Sequence, residues 1–362
     1  MAKKLRYGLV GCGGIARGKH LPAIQNLKDV EVTAYCDIIA ERAETANAEY
    51  SGGKGKVFTD YRELINEDLD AVFVLTPNNF HCEVSVAALK AGKNVLCEKP
   101  MAMNYKEAQA MIAARDASKK LLTIGYQSRY RADSRYLKAE CEAGTLGDIY
   151  FARATAIRRR AVPTWGVFLD GEKQGGGPLI DIGTHALDLT LYMMNNYEPA
   201  YAVGTVYHKL NKDKNTGNAW GDWDPKKFTV EDSAFGFVVM KDGATIILQS
   251  SWALNDAYPR EAVTTLCGTK AGAEMLQAGS LTINGVKNGR QYLLTPALSA
   301  GGVAFYDGAG ERDTDLEAQT FAAAVRGQGK LLVLPEQAAA VTRILEGIYK
   351  SAESGKPYYF GE

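Results

Sequence analysis

The residues Gly11-Cys12-Gly13-Gly14-Ile15-Ala16 form a glycine turn that fixes how the first third of the chain must fold. The preceding residues, 5–10, are typical of a short buried strand, and those after the turn favour a helix that Pro22 should kink or shift. Residues 30–36 alternate, include β-branched side chains and are followed by Asp37. Strand, G-x-G-x-x-A turn, helix, strand and acid together make a dinucleotide-binding fingerprint.

Each part of this fingerprint has a physical role. Gly11 allows the tight turn, and Gly13 lets the backbone approach a pyrophosphate without a Cβ atom in the way. Gly14 and Ile15 lead into the helix, whose free N–H groups and dipole attract phosphate. Asp37 can accept hydrogen bonds from an adenosine ribose. The sequence therefore predicts a nucleotide site at these residues.

The same stretch predicts NAD rather than NADP as the cofactor. The carboxylate of Asp37 falls where the 2′-phosphate of NADP would lie, and like charges at close range repel. Neither Ile38 nor Ile39 offers a guanidinium to receive that phosphate.

Composition limits the function classes. The chain has 362 residues, with 42 Lys+Arg against 42 Asp+Glu, so two domains are expected and no basic field favours nucleic acid or acidic lipid. The six cysteines form no C-x-x-C pair or metal spacing, which predicts a reducing cytoplasm and no metal site. No apolar run approaches membrane-spanning length.

Strand and helix patterns alternate up to residue 124 and then change. The alternation predicts an α/β Rossmann domain with a doubly wound parallel sheet at 1–124. Beyond it the strand patterns are longer, and one pair is joined by the hairpin turn Lys241-Asp242-Gly243. Residues 125–362 are thus predicted to form an α+β domain for substrate binding and oligomerisation, with a large, mainly antiparallel open sheet.

An open sheet face is commonly covered by a sister subunit, so a homo-oligomer, dimer or tetramer, is expected. Residues 211–227 are polar apart from Trp220 and Trp223, and this segment is interpreted as an insertion near the site or at a subunit contact.

The second domain carries one polar constellation. If a helix begins near Leu179, then Asp181, His185, Asp188 and Tyr192 share one face. An aspartate one turn from a histidine can raise the basicity of the ring and fix its tautomer, as proton abstraction from an alcohol requires. A polar helix face capped by Asp181 explains the spacing equally well.

Several motifs together resemble the glucose–fructose oxidoreductase/inositol dehydrogenase (Gfo/Idh/MocA) family nearly end to end. The motifs that carry the resemblance are the glycine turn, Thr76-Pro77-Asn78 with His81, Glu98-Lys99-Pro100, Gly176-Gly177-x3-Asp181-x3-His185-x2-Asp188, Val230-Glu231-Asp232 and Gly268-Thr269-Lys270.

The resemblance implies a role for each matching residue. Lys99 would donate a hydrogen bond to the reacting hydroxyl, which Asp181 and His185 would orient and deprotonate. The residues that would line the nicotinamide ribose and pyrophosphate are Thr76, Asn78, His81 and Glu98, and the predicted cofactor contacts also include Lys99 and Gln127.

The resemblance also implies a sugar, glycoside or cyclic polyol as substrate. Trp165 can pack against the C–H face of a sugar ring and Arg158 can donate to its hydroxyls, although Trp165 as core filler and Arg158-Arg159-Arg160 as a solvated strand edge are the plain alternatives. With Lys99, Asp181 and His185, these two residues form the predicted substrate site.

The pattern is most similar to family members that oxidise the C3 hydroxyl of glucose or a glucoside to a 3-keto sugar with NAD. Three alternatives stay open: an inositol dehydrogenase, an NAD-cycling glycosidase and a non-catalytic NAD-binding regulator. The regulator is expected to lack Lys99 or His185, and the chain has both.

Overall fold

The computed structural model describes residues 3–213, 216–276, 279–298 and 312–361. The chain divides into two compact units, Met1–Tyr130 with Glu311–Ala339, and Arg131–Gly310 with Ala340–Glu362. The first division lies close to the predicted one after residue 124. The segment Glu311–Ala339 differs from the prediction, because it belongs to the first unit.

The strands fall into two sheets. Their bounds are β1 Leu5–Val10, β2 Val30–Cys36, β3 Lys56–Phe58, β4 Ala71–Val74, β5 Asn94–Cys97, β6 Leu122–Ile124, β7 Ile149–Ile157, β8 Pro199–Tyr207, β9 Ser233–Met240, β10 Thr245–Ser251, β11 Val263–Gly268, β12 Ala271–Met275, β13 Leu281–Lys287, β14 Arg290–Leu294 and β15 Tyr358–Tyr359.

The α-helices are α1 Leu21–Gln25, α2 Ala40–Ser51, α3 Tyr61–Leu64, α4 His81–Lys90, α5 Tyr105–Ser118, α6 Ala132–Glu142, α7 Gly171–Gln174, α8 Thr184–Met194, α9 Asp313–Val325 and α10 Pro335–Ser354. Two π-helical turns, Ala16–His20 and Leu179–Gly183, run directly into α1 and α8. No helix in the described ranges is long and apolar enough to cross a membrane.

The first unit contains a six-stranded sheet in the order β3-β2-β1-β4-β5-β6. All its neighbouring strands pair in parallel, which confirms the predicted doubly wound Rossmann sheet. The order reverses between β1 and β4, so the ends of these strands form the crevice where such sheets bind ligands.

Aromatic packing explains why α9 belongs to the first unit. The ring of Phe321 on α9 lies 5.5 Å from that of Phe73 on β4 and 6.1 Å from that of Tyr7 on β1. All three side chains are fully or almost fully buried. An apolar helix face of this kind follows from sequence, but its choice of sheet depends on tertiary packing.

Pro22 displaces the first helix as predicted. Proline has no N–H to bond the carbonyl of residue 18, so a regular α-helical ladder is broken at this point. The chain makes the π-helical turn Ala16–His20 and then continues as α1, with the proline in its first turn.

The second unit contains a nine-stranded sheet in the order β14-β13-β12-β11-β7-β10-β9-β8-β15. Its pairs are antiparallel except for β7 with β10, which confirms the predicted mainly antiparallel sheet. The hairpin at Lys241-Asp242-Gly243 joins β9 to β10, and Gly243 takes the positive φ of 91° that this turn requires. The sequence had not predicted α6 or β15.

Candidate active site

The glycine turn leaves room for a phosphate. Gly11 has a φ of 97°, and a Cβ atom there would collide with the carbonyl oxygen of Leu75 at the end of β4. A Cβ at Gly13 or Gly14 would meet nothing within 4 Å, so the backbone of this turn faces open space. Ile15, the next predicted contact, is exposed. This open turn before a helix fits the approach of a dinucleotide pyrophosphate.

Asp37 is fixed at the end of β2 by main-chain donors. One carboxylate oxygen accepts from the N–H of Cys12 and the other from the N–H of Ile39, both at 2.9 Å. One Nη atom of Arg42, on α2, lies 4.0 Å from this carboxylate. Sequence reasoning looked only at the two residues after the aspartate and missed this guanidinium, which α2 places nearby one turn later.

A buried cluster of charges surrounds Glu98, which follows β5. Glu98 Oε1 accepts hydrogen bonds from Lys19 Nζ at 2.7 Å and from His20 Nε2 at 2.8 Å. Lys19 also pairs with Glu317 on α9 at 2.9 Å, and it donates to the amide oxygen of Gln127 at 3.3 Å. Lys19, His20, Glu98 and Glu317 are all buried. We call these four residues the Lys19 cluster.

The two carboxyl groups of the Lys19 cluster are shifted in opposite directions. Burial alone raises the pKa of Glu98, but the charge of Lys19 and the hydrogen bond from His20 hold that pKa well below its usual range. At Glu317 burial outweighs the attraction of Lys19 and raises the pKa. Within the described residues Glu317 Oε1 has no hydrogen-bond partner. The balance between burial and the neighbouring cation thus differs at the two carboxyl groups: the cation prevails at Glu98, and burial prevails at Glu317.

The Lys19 cluster holds the backbone of the predicted catalytic lysine. The second oxygen of Glu98, Oε2, accepts from the N–H of Lys99 at 3.0 Å. Lys99 itself is half-buried and is joined to Pro100 by a cis peptide bond. Glu98 thus fixes the main chain at Lys99. Gln127 contacts the Lys19 cluster by accepting a hydrogen bond from Lys19.

His81 lies between two loops at the strand ends. Its Nδ1 lies 2.7 Å from the carbonyl oxygen of Pro100, and its Nε2 lies 2.9 Å from that of Thr76. The ring is buried, and burial lowers its pKa in spite of these two contacts. Since a neutral imidazole donates from one nitrogen only, one bond joins His81 to one of the two loops. Asn78 lies buried in the short 3₁₀ turn Asn78–Phe80 between them.

In the second unit, Asp181 and His185 lie buried at the start of one helix. Asp181 is in the π-helical turn and His185 in the first turn of α8. Asp181 Oδ2 accepts a hydrogen bond from the indole N–H of Trp252 at 3.0 Å, and Trp252 is fully buried. The structure therefore holds this aspartate by a neutral donor, which the sequence did not suggest.

The π-helical turn has a visible cause. The hydroxyl of Ser250 on β10 donates to the carbonyl oxygen of Pro178 at 2.6 Å, which gives this carbonyl a partner outside the helix. Insertion of a side chain into a helical ladder is a common source of such irregular turns. The predicted shared face of Asp181, His185 and Asp188 assumed regular α-helical spacing, which applies only from Thr184 onward.

Glu231 anchors the start of this helix. Its carboxylate accepts from the N–H of Gly177 at 2.8 Å, from the N–H of Leu179 at 3.2 Å and from the hydroxyl of Tyr349 at 2.8 Å. Burial raises the pKa of Glu231 despite these three donors. A Cβ at Gly176 would collide with the Tyr349 hydroxyl, and one at Gly177 with the Glu231 carbonyl. The two glycines of the family motif thus allow close packing.

Arg158 is part-buried and forms an ion pair with Glu261. Its guanidinium makes two 2.6 Å hydrogen bonds to the two carboxylate oxygens of Glu261. Burial would lower the Arg158 pKa, but the bond to Glu261 and the charges of Glu261 and Asp181 raise it. The solvated strand edge considered for this arginine does not describe it, since it is part-buried and paired.

Trp165 packs with residues of the predicted insertion. Its ring lies 4.9 Å from that of Trp220 and 5.9 Å from that of Phe168. It is 52% exposed, so the core-filler interpretation is wrong. Residues 214 and 215 of the insertion lie outside the described residues. Within the described ranges, no group of three or more His, Cys, Asp or Glu side chains could hold a metal ion.

Comparison with known proteins gives the family. Residues 5–126 match the model described as "Oxidoreductase family, NAD-binding Rossmann fold", and residues 134–274 match the "GFO/IDH/MocA C-terminal domain". The D-glucoside 3-dehydrogenase of Escherichia coli (strain K12) is 33% identical over 353 residues, 97% of this chain and 96% of that protein.

Two further proteins are similar. The inositol 2-dehydrogenase of Salmonella typhimurium (strain LT2) is 35% identical over 164 residues, 44% of this chain and 48% of the relative. A levoglucosan dehydrogenase solved in complex with NADH and levoglucosan superposes with a TM-score of 0.83, covering 99% of this chain and 100% of the other at 19% identity, which shows a shared fold.

One family match lies in each unit, and the matched ranges 5–126 and 134–274 include the glycine turn, the Glu98-Lys99-Pro100 segment and the helix of Asp181 and His185. This protein belongs to the Gfo/Idh/MocA family of oxidoreductases, whose Rossmann domain binds NAD.

Proposed function

We propose that this protein is an NAD-dependent dehydrogenase that oxidises the C3 hydroxyl of glucose or a glucoside to a 3-keto sugar. The observation that carries the proposal is that Asp181 and His185 both lie buried at the start of one helix, four residues apart, with the aspartate fixed by the indole N–H of Trp252. An anchored acid one turn from a histidine is suited to take a proton from an alcohol.

The cofactor contacts are proposed for the first unit. The pyrophosphate would bind at Gly11, Gly13, Gly14 and Ile15, since a Cβ atom at Gly13 or Gly14 would face open space. Asp37 would accept from the adenosine ribose, because each of its oxygens has a lone pair left after binding one N–H. The residues proposed for the nicotinamide ribose and pyrophosphate are Thr76, Asn78, His81, Glu98, Lys99 and Gln127.

The proton is handled by side chains of the chain itself. His185 takes it from the substrate hydroxyl, and Asp181 stabilises the imidazolium that forms. Lys99 donates a hydrogen bond to the same oxygen and stabilises its developing negative charge. Bound NAD supplies the acceptor for the hydride. Arg158 and Trp165 are the further substrate contacts that we propose.

The choice of C3 rests on the E. coli relative, which is named a D-glucoside 3-dehydrogenase and is similar over almost the whole of both chains. The second candidate is an inositol dehydrogenase, because the Salmonella enzyme of that name is similar over 164 residues. An NAD-cycling glycosidase needs a further base for the C–H beside the new ketone. The nearby carboxylate of Glu261 is poorly suited to that role, since both its oxygens bind Arg158.

A substrate screen tests the proposal. Methyl glucoside, glucose and inositols are each incubated with the protein and NAD, and NADH is followed by absorbance and product by mass spectrometry. We expect stoichiometric NADH and a product two hydrogens lighter, with the glycosidic bond intact. Inositol oxidation alone would favour the second candidate, and free aglycone without NADH would favour the glycosidase.

We also propose that the protein is a cytoplasmic homo-oligomer, a dimer or tetramer. One face of the nine-stranded sheet exposes apolar side chains, among them Val203 on β8 at 39% and Phe237 on β9 at 42%, which pair across the strands. A second copy would bury this face. The six free cysteines are consistent with a reducing compartment. Light scattering of the wild type and of Phe237→Glu tests the assembly, since a lower mass is expected for the variant.

A further inference from the structure

Two tryptophans of the second unit are exposed and in contact. Trp165 is 52% and Trp220 44% exposed, and their rings lie 4.9 Å apart at 81°. The other two tryptophans behave differently: Trp223 and Trp252 are buried, with their indole N–H groups bonded to Asn211 and Asp181. Exposed neighbouring aromatic rings on a protein surface commonly mark a binding site.

The exposed pair is held rigidly. The hydroxyl of Thr164 donates to the carbonyl of Trp220 at 2.7 Å. Asn218 donates to the carbonyl of Val162 at 3.0 Å and accepts from its N–H at 2.8 Å. These bonds tie the insertion to the segment that carries Trp165, so little conformational entropy remains to be lost when a ligand packs against the rings.

The pair is also connected to the predicted catalytic aspartate. The guanidinium of Arg158 lies 5.3 Å from the ring centroid of Trp220. The backbone of Arg158 donates to Ser251, and that of Ala161 donates to Trp252, whose indole binds Asp181. A chain of contacts therefore connects Asp181 through Trp252 and the segment 158–161 to the ring of Trp220, which Trp165 contacts.

A cavity of about 440 Å³ has Trp165 in its wall. The other residues that line it include Thr164, Thr229, Asp170 and Lys173, and the last two form an ion pair at 2.8 Å. This volume is in the range of small-molecule sites, and an apolar wall with a few polar groups is their usual composition. The cavity can accommodate a group larger than the reacting sugar alone.

We infer that Trp165 and Trp220 form a second subsite, which binds the ring attached to the reacting glucose in a two-ring glucoside. The inference rests on the proposed function and specifies its substrate class. The ring can be an aryl aglycone or a second sugar, because both present a broad apolar face to an indole. The cavity beside Trp165 would take the outer hydroxyls of a second sugar. Trp220, which the insertion contributes, thus helps to select substrate size.

The test compares one-ring and two-ring substrates. NADH production is measured with methyl glucoside, phenyl glucoside and a glucose disaccharide for the wild type, Trp165→Ala, Trp220→Ala and Trp165→Phe. For the two-ring glucosides we expect kcat/KM to fall by about tenfold in each alanine variant, mainly through KM, and to stay within about threefold of wild type in Trp165→Phe. For methyl glucoside we expect a change of less than about twofold in Trp220→Ala, since Trp220 is not among the proposed contacts of the reacting sugar.

Tyr150→Ala is the matched control. Tyr150 is also an exposed aromatic, but it lies near the opposite end of β7 from Arg158, so its loss should change no substrate. Loss of phenyl glucoside activity without loss of disaccharide activity would identify an aryl aglycone as the ligand, and the reverse would identify a second sugar.

Two results would overturn the subsite. One is an equal fall in kcat/KM for one-ring and two-ring substrates in Trp220→Ala, and the other is a change of molecular mass in the alanine variants with unchanged kinetics, which would make the pair a subunit contact. Wild-type protein that oxidises none of the sugars would instead contradict the proposed function. Binding of phenyl glucoside, followed by tryptophan fluorescence, tests the subsite without turnover.

Discussion

The two units hold their buried carboxylates with different partners. In the first unit, Glu98 is neutralised by the charge of Lys19, and the same ammonium also contacts Glu317. In the second, Asp181 binds the neutral indole N–H of Trp252, and Glu231 binds main-chain N–H groups and a tyrosine hydroxyl. Breaking a buried ion pair leaves an uncompensated charge, whereas losing a neutral donor leaves a carboxylate that can still be protonated or solvated. We therefore expect loss of the ion pair in the first unit to lower mainly the free energy of unfolding. Changes at the residues of the second unit should lower mainly the rate of catalysis.

The largest effect on chemistry is expected at His185. His185→Ala should lower kcat by about 10²–10⁴, the usual scale for a positioned acid–base group. Its free energy of unfolding should change far less than that of a variant of the Lys19 cluster. Steady-state NADH production gives kcat, and fluorescence quenching by NAD shows whether cofactor binding is retained. Near-normal turnover would remove His185 from its proposed role and leave Asp181 as the candidate base.

The largest effect on stability is expected at Glu98. Glu98→Gln should destabilise the protein by about 3–5 kcal/mol at pH 7, because the buried Lys19 ammonium and His20 lose their anion. Glu317→Gln is the matched control, since it makes the same carboxyl-to-amide change beside the same ammonium, at a carboxyl whose pKa burial raises. We expect the control to stay within about 1 kcal/mol of wild type. Urea unfolding measures both, and equal losses would show that the Lys19 ammonium depends on the two carboxyl groups alike.

The pH dependence of the same two variants should have opposite signs. The pKa of Glu98 is lowered in the folded state, so its stabilising contribution is present above its ordinary pKa of 4.5 and is lost as pH falls through the folded value. The pKa of Glu317 is raised, so its contribution is present below 4.5 and is lost as pH rises through the folded value. Acid should therefore reduce the difference in unfolding free energy between wild type and Glu98→Gln. Rising pH should instead make Glu317→Gln more stable relative to wild type.

A smaller effect on catalysis is expected at Trp252, whose indole N–H is the neutral donor to Asp181. Trp252→Phe should lower kcat/KM by about 10- to 100-fold, because a hydrogen bond to a charged group contributes about 1.5–3 kcal/mol. Trp223→Phe removes an equally long indole bond, 3.0 Å to the carbonyl of Asn211, and is the control. Stability should change similarly in both variants, and kcat/KM should fall only in the first. Equal kinetics would show that the bond to Asp181 has no catalytic role.

The smallest effect concerns cofactor choice. Wild-type protein should prefer NAD over NADP by at least roughly tenfold, since Asp37 repels a 2′-phosphate. Asp37→Ser should reverse much of this preference, because Arg42, 4.0 Å from that carboxylate, then becomes available to the phosphate. Comparison of kcat/KM for the two cofactors measures the change. Asp37→Ser/Arg42→Ala is the control, and retention of the gain for NADP in it would exclude the arginine.

Local patterns were informative where function depends on neighbours in the chain. The glycine turn, the strand before it and Asp37 lie within 33 consecutive residues, and the fold predicted from them is the one observed. The Asp181–His185 spacing likewise placed both residues at one helix start, although the π-helical turn was not predictable, because its cause is Ser250 on a strand about 70 residues away.

The sequence by itself determined the Rossmann fold, NAD as the cofactor and the family, because each depends on a glycine, an acid or a periodicity at fixed short spacing. Only the tertiary structure decided which side chains hold the predicted ones: Glu317 beside Lys19, Trp252 on Asp181, Glu261 on Arg158 and Trp220 on Trp165. These partners are separated by between 55 and 298 residues in the chain. A hydrogen bond or ring contact requires only that two groups meet in space, and no short-range pattern encodes that meeting.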